Sequence, residues 1–373
     1  MKRDIRLDTL RGLVLVWMTL NHLGGPLHAY SFQTLGFVSS AEGFVFISGI
    51  VAGLVYGRIG LKQGSPALKR RAFRRARDIY LFHMAAFIII LILEISISSK
   101  IYHSFYVYMN PLPMESPLIA LGLGAIFLMQ PALLDILPMY CLFLLVTPFI
   151  INRFKNKYGS WGVLAGSFLV WSLATYNSWD SLQKFGERFL PLNLGFFNPF
   201  AWQFLFIGGL FFGYRRNTDK GIPIKKSLII SSLFIYIGIL LLRYEVFSSN
   251  LLGFNISSLT IRETFGPLRV INMAALAYLI ACLGVRFPRS LEWPWFSYLG
   301  QHSLQVFSFQ LVLLYSVLPL YKSLIIPSGW TYIIAADFVI AGSLTIPAWL
   351  HVKYREFKGQ KRSSDRLGWS KAK

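Results

Sequence analysis

Runs of about twenty apolar residues recur along the whole chain, and they dictate the solvent in which it can fold. A helix rises about 1.5 Å per residue, so about 20 apolar residues cross a hydrocarbon core of ~30 Å. Ten such runs can be read, near residues 10–30, 35–57, 79–98, 135–152, 160–178, 198–214, 227–245, 267–285, 296–318 and 331–351. In lipid each backbone N–H and C=O must be satisfied within its own segment, so these runs predict helices. The expected fold is all-α: a polytopic bundle of about ten transmembrane helices in a single domain, residues 1–352, followed by a basic tail, 353–373. Composition agrees, with 55% of residues hydrophobic and only 14% charged. Cys141 and Cys282 each fall inside an apolar run and read as buried hydrophobes.

A formal net charge of +21 raises nucleic acid as a partner, but the positions of the charges decide against it. With these spans, 30 of the 37 Lys and Arg residues fall on one side of the membrane. Basic loops stay in the cytoplasm, so both termini are expected there and the basicity is topological. Residues 117–134 are apolar and nearly long enough to cross. If they did, the two sides would carry 18 and 19 basic residues and the asymmetry would vanish. This segment is therefore expected as a re-entrant or interfacial helix on the outer side, started by Pro117 and broken by Pro131.

Function then has to come from the polar groups that lipid makes costly, at least ~2.5 kcal/mol for an ionisable side chain at the membrane centre. The densest set opens the chain. On a helical wheel Arg11 falls within about 20° of His22 and Asp8 within about 40° of it, one stripe facing the bundle interior. His22 comes about 20 Å along the first helix. The second span returns through Glu42, at similar depth from the same turn. A carboxylate beside an imidazole fixes its tautomer and raises its basicity, which points to a catalytic His22–Glu42 pair. Spacing alone leaves two other readings open: helix-packing glue and a proton or ion pathway. On the cytoplasmic side Arg70, Arg71, Arg74 and Arg75, with Arg6 and Arg11, offer charge for phosphate groups. The same residues also suit topology and anionic lipid.

Weaker signals are scattered. His83 and His302 are candidates for the cytoplasmic mouth, whereas His28, His103 and His351 read as peripheral. Asp337 is an intramembrane acid with no obvious partner, and Asp78 is expected to neutralise an arginine. Trp179 and Trp202 suit either a sugar-binding vestibule or the interfacial belt. Gly12, and Gly49 with Gly53 and Gly57, fit close helix packing. No metal-ligand spacing and no phosphate-cradling G-x-x-x-x-G-K-[ST] loop are present, so no metal site and no ATP-driven pump are expected.

The string RDIRLDTLRG, then His22, then GFVSSAEGFVFISGIVAGLVYG resembles the OpgC family closely. Further matches are Leu137–Tyr140, the run Asn198-Pro199-Phe200-Ala201-Trp202-Gln203 with Gly208, Gly209 and Gly213, and Leu299–Phe307. The resemblance covers about residues 3–350 and implies a bacterial inner-membrane acyltransferase. It implies O-acylation of a periplasmic glucan, as a rule succinylation, from a cytosolic acyl-CoA acting as co-substrate. Together with the residues above, this gives the expected roles: His22 as general base, Glu42 orienting it, and Arg11 stabilising the oxyanion or binding the thioester arm. Arg6, Arg70, Arg71, Arg74, Arg75 and His302 would receive the CoA head group. Some members of the wider acyltransferase group carry a histidine in a late span where this chain has Gln310, so that span receives no catalytic role. A covalent acyl-His relay is an open variant. The competing class is a secondary transporter of a sugar or organic anion, which usually shows related halves. No internal repeat is found.

Overall fold

A computed structural model describes residues 3–96, 116–176, 179–218, 223–245 and 256–370, with side chains described to Lys358 and not for residues 179, 180 and 182. Helices begin where the sequence supplies caps. The first, α1 (Ile5–Leu23), starts at Asp4, whose carboxylate accepts from the Arg6 N–H at 3.2 Å. In α2 (Ser40–Lys62), Ser39 and Glu42 form a reciprocal capping box. Then come α3 (Gly64–Ser96), the short α4 (Pro117–Ala125), α5 (Ile136–Phe154) and α6 (Lys157–Tyr176). Asn198 caps α7 (Pro199–Arg215) by accepting from the N–H groups of Phe200 and Ala201. The remainder is α8 (Lys226–Arg243), α9 (Pro267–Arg286), α10 (Pro294–Gln301), α11 (Ser303–Leu320), α12 (Trp330–Ser343) and α13 (Thr345–Ser370).

The protein is an all-α polytopic membrane protein. Among the described residues seven helices are long and apolar enough to cross a bilayer: α2, α3, α5, α8, α9, α11 with its extension to Ser328, and α12 running on into α13. The other three expected spans form helices too, but α1 carries Arg6, Asp8 and Arg11, α6 is diluted by Gly, Ser and Trp, and α7 has only 17 residues.

Three boundaries differ from expectation. The basic stretch 58–77 is not a loop: α2 runs to Lys62 and carries Arg58, and α3 starts at Gly64, so the arginines from 70 to 77 sit on the first half of a 33-residue helix. The expected ninth span is split at His302, and only α11 is long enough to span. Within 117–134 the helix is nine residues long, rising about 13 Å, too short to cross. It ends at Ala125, six residues before Pro131, where Phe127 and later Leu133 take positive φ. The Tyr80 hydroxyl, donating to the Ala125 carbonyl at 3.2 Å, ties this segment to α3.

Two close approaches set the frame. A Cβ on Gly53 of α2 would lie 2.1 Å from the Leu210 carbonyl oxygen of α7, and one on Gly213 would lie 2.0 Å from that of Ile50. These helices therefore pack backbone to backbone and in parallel, Gly53 meeting residues 210–213 and Gly57 meeting Tyr214. Likewise a Cβ on Gly12 would lie 1.9 Å from the Phe296 carbonyl oxygen, and one on Gly300 would lie 1.8 Å from that of Asp8, locking α1 onto α10. Against α3, Asn152 of α5 donates to Ser65 at 2.9 Å and the Cys141 thiol meets the Ala76 carbonyl at 3.4 Å, an antiparallel pair. The bundle has a near end, where α1 begins, and a far end, where α1 stops.

Candidate active site

Two polar sites lie at different heights on α1. The first is a cavity of about 330 Å³ toward the near end. Arg11 of α1, Tyr56 of α2, Tyr140 of α5 and Arg71, Arg74 and Arg75 of α3 face it, with Asp78 the single carboxylate among its lining residues. Helical spacing explains the convergence: positions 71, 74, 75 and 78 form one stripe, while the neighbouring stripe of Leu68, Ala72, Ala76 and Ile79 is buried in the core. Four guanidinium groups against one carboxylate leave a strongly positive hollow.

Arg11 is the most constrained of these groups. It is 8% exposed, and its Nε has no hydrogen-bond partner. The Phe44 ring lies 5.9 Å from its guanidinium carbon. Asp8, one turn earlier, is occupied by Arg3 at 2.5 Å and 3.0 Å. A buried guanidinium compensated so little favours an anion in the cavity it faces, because an unpaired buried charge is costly.

The second site surrounds His22, 11 residues further along α1 and so about 16 Å toward the far end. His22 is half-buried and makes no hydrogen bond among the described residues. It lines neither the basic cavity nor the larger apolar cleft on the other side of α1. His28 and Arg262 are the ionisable groups that act on it electrostatically. His28 accompanies it through the Asn21 carbonyl, 3.0 Å from Nδ1, and stacks on Phe32 at 4.8 Å. Arg262 lies over the faces of Phe32 at 5.7 Å and Phe196 at 4.7 Å, and its guanidinium has no acid or carbonyl partner among the described residues. The backbone beneath Arg262 is pinned from several sides. The Trp202 indole donates to the carbonyls of Arg262 and Glu263 at 3.2 Å and 3.1 Å. The Trp171 indole donates to Phe265 at 2.9 Å, and Arg269 Nε to Thr260 at 2.6 Å.

The expected His22–Glu42 pair is not formed. Glu42 is fully buried, and its carboxylate accepts from the Ser39 N–H at 2.9 Å, from the Ser39 hydroxyl and from Arg269 Nη1 at 2.6 Å. The local reason is the capping box, which folds the side chain back toward its own helix start. The tertiary reason is that a carboxylate without access to water takes the nearest cation, here Arg269 of α9. Arg269 also donates to the Phe37 carbonyl, tying the chain before α2 to α9.

Of the expected phosphate-binding residues, Arg71, Arg74 and Arg75 meet Arg11 at one cavity. Arg70 is exposed and lies outside it. Arg6 borders a different, apolar cavity, held by Asp4 at 3.0 Å and the Gly284 carbonyl at 2.6 Å. His302 pairs through Nδ1 with Nδ1 of His351 at 2.8 Å, so His351 is not peripheral; Arg75 acts on His351 and Arg3 on His302. The pair lies beside the basic cavity without lining it. His83 is fully buried between Phe87 and Phe127, away from the cavity. Trp202 is buried at 0% exposure, belonging neither to a belt nor to a sugar surface. The side chain of Trp179 and all of His103 lie outside the described residues. Asp337 finds a partner in the Tyr321 hydroxyl, 2.5 Å away.

Sequence reasoning missed the assignment of Arg269 to Glu42 and the contribution of Tyr56 and Tyr140 to the basic cavity. The capping-box spacing Ser39-x-x-Glu42 was the available signal for the first. For the second there was only the Leu-Pro-Met-Tyr string.

A helical membrane bundle with a guanidinium-lined hollow at one end and, at the other, a histidine with an arginine unpaired among the described residues has the parts of a group-transfer enzyme, and the sequence comparison agrees on the class. The pattern of the OpgC protein family matches residues 3–356, and the chain belongs to that family. Membership makes it a transferase, a glucan-modifying acyltransferase of the membrane. No curated protein and no solved structure matches the chain.

Proposed function

We propose that the protein moves a succinyl group from cytosolic succinyl-CoA to a hydroxyl of a periplasmic glucan, in the bacterial inner membrane with both termini in the cytoplasm. The observation that carries this reading is the basic cavity: Arg11, Arg71, Arg74 and Arg75, from two helices distant in sequence, surround one hollow with one acid among its walls. The polyphosphate end of CoA is a ligand that such a hollow suits, since guanidinium groups bind phosphate oxygens in bidentate pairs. The near end is then the cytoplasmic one, in keeping with the distribution of basic residues.

From that cavity the pantetheine arm extends along α1 toward His22, about 16 Å away. His22 accepts the proton of the sugar hydroxyl as its oxygen attacks the thioester carbonyl. The tetrahedral intermediate collapses, the carbon–sulfur bond breaks, and the CoA thiolate leaves and is protonated. With Glu42 committed elsewhere, His22 has no carboxylate orienter among the described residues, and its ring can accept from the incoming hydroxyl. Glu42 acts indirectly, by fixing the start of α2 against α9. Arg262, the cation beside His22 that has no acid partner among the described residues, suits the free carboxylate of a succinyl group.

Purified full-length protein in lipid nanodiscs, given succinyl-CoA and glucan, tests the reading. His22→Ala is expected to lower turnover by about 10²–10⁴-fold, the usual contribution of a general base, with an unchanged melting temperature. Arg11→Ala and the Arg71→Ala/Arg75→Ala double variant are expected to raise the KM for the CoA donor at least tenfold. A His22→Ala protein of normal turnover would remove the proposed base. Accumulation of labelled anion in vesicles without release of free CoA would establish the transporter instead.

A further inference from the structure

A cavity larger than the basic one takes no part in this mechanism. It is a cleft of about 480 Å³ between α1, α2, α7 and α9. Its walls are hydrocarbon and aromatic, including Leu10, Val14 and Trp17 of α1, Phe46 of α2, and Ala277 and Ile280 of α9. At the near end it starts at Asp4, Arg6 and Arg216; at the far end it stops at Ser39 and Ser40. Ser40 is level with Asn21, whose amide donates to it at 3.1 Å. From Arg6 to Asn21 is 15 residues of α1, so the cleft is about 22 Å long. One leaflet contributes about half of a ~30 Å hydrocarbon core, so a leaflet-length chain fits within it.

Its rim shows how such a chain would enter. Phe212, Ile224 and Val285 border the cleft and are 41%, 48% and 61% exposed, an apolar edge facing outward from the bundle. A slot with apolar lips in a membrane protein opens to lipid. The near-end mouth is polar and cationic. Asp4 is shared by Arg6 at 3.0 Å and Arg216 at 3.0 Å. Arg6 is fully used, with Nε and Nη2 on Asp4 and Nη1 on the Gly284 carbonyl. Among the described residues Arg216 commits only Nη2, to Asp4, leaving Nε and Nη1 for a ligand. Arg215, Arg286 and Arg289 follow closely in sequence from lining residues at this end, against Glu292 and, in sequence, Asp219 as further acids. A free guanidinium edge over an apolar slot matches an anionic head joined to a hydrocarbon chain.

We propose that this cleft is a binding site for one acyl chain of an anionic glycerophospholipid drawn from the near-side leaflet, with its phosphate on Arg216. The lipid would fill the gap between α1/α2 and α9, two groups of helices that Arg6 and Arg269 bridge at opposite ends. The site is independent of the acyl-transfer reading.

Native mass spectrometry of the full chain, released from nanodiscs of phosphatidylglycerol mixed equally with phosphatidylcholine, tests it. The wild type is expected to retain one phosphatidylglycerol per chain. Ala277→Trp, which fills the slot, should abolish retention, and Ile280→Trp provides a second block should the first fail to fold. Arg216→Gln should erase at least tenfold of the preference for phosphatidylglycerol over phosphatidylcholine while one lipid is still held. Retention unchanged by a folded slot-filling variant would overturn the site. So would equal retention of the two lipids by wild type, displacement of lipid by acyl-CoA in the slot, or a dimer whose partner helix occupies it.

Discussion

Glu42 shows how a single side chain changes meaning once its neighbours are known. As a lone acid opposite His22 it has the makings of a catalytic orienter, but the folded chain closes it against Ser39 and Arg269 with no exposed surface. Removing one partner of a buried pair leaves the other charge stranded, at a cost of about 3–5 kcal/mol. Glu42→Gln should therefore lower the unfolding free energy in detergent by that order, and the double variant Glu42→Gln/Arg269→Met should regain part of the loss, since Arg269 also holds the Thr260 and Phe37 carbonyls. An orienting carboxylate behaves differently: its single variant lowers turnover at unchanged stability, and the second substitution rescues nothing. Arg262 makes the complementary case. Arg262→Gln is expected to depress the specificity constant for succinyl-CoA at least tenfold more than that for acetyl-CoA, in parallel assays of the same preparation. Equal losses with both donors would remove Arg262 from acyl recognition.

At the scale of elements, α2 and α7 form the most intimate pair, and their glycines are there for distance. Lipid tails are as apolar as leucine, so helices in a bilayer gain little by burying apolar surface against one another and depend on close packing instead. With Gly53 only 2.1 Å, at a hypothetical Cβ, from the Leu210 carbonyl, Gly53→Leu must push the two helices apart. The expected outcome is a large fall in melting temperature and in monodisperse yield, whereas Gly208→Leu, with nothing within 4 Å of its hypothetical Cβ, should be tolerated. The comparison controls for adding a leucine to the same helix pair. On α3 the arginine stripe at 71, 74, 75 and 78 depends on helical continuity from Gly64. Ala72→Pro, two turns into that helix, should disperse the stripe and raise donor KM more than Arg70→Ala, whose side chain lies outside the cavity.

For the whole molecule, the separation of the two polar sites along α1 is what makes reaction between compartments conceivable. The basic hollow belongs to α1, α2, α3 and α5; the His22 surroundings belong to α1, the turn after it, and the pinned segment before α9. Among the described helices only α1 passes through both, which is why the polar stripe of Asp8, Arg11 and His22 can be read from one segment of sequence. The stripe does not act as one unit, though. Asp8 is engaged by Arg3, Arg11 faces the hollow, and His22 stands with Arg262 at the other end. Charge binding at the hollow should be screened by salt, so donor KM is expected to rise with ionic strength, and to rise less steeply in the Arg71→Ala/Arg75→Ala variant. Steady-state kinetics at two salt concentrations check this.

What the sequence decided alone was whatever depends on short range or on solvent. Twenty-residue apolar runs fixed an all-helical membrane fold, and glycine spacing marked the α2 face that touches a neighbour. Each of these follows from hydrogen bonding and periodicity within a single segment. The tertiary structure decided everything that needs a partner from elsewhere in the chain: that Arg269, 227 residues away, takes Glu42; that Trp202 serves to hold the backbone of Arg262; that His302 meets His351. A buried charge chooses the nearest compatible group in space, and distance along the chain carries almost no information about that choice.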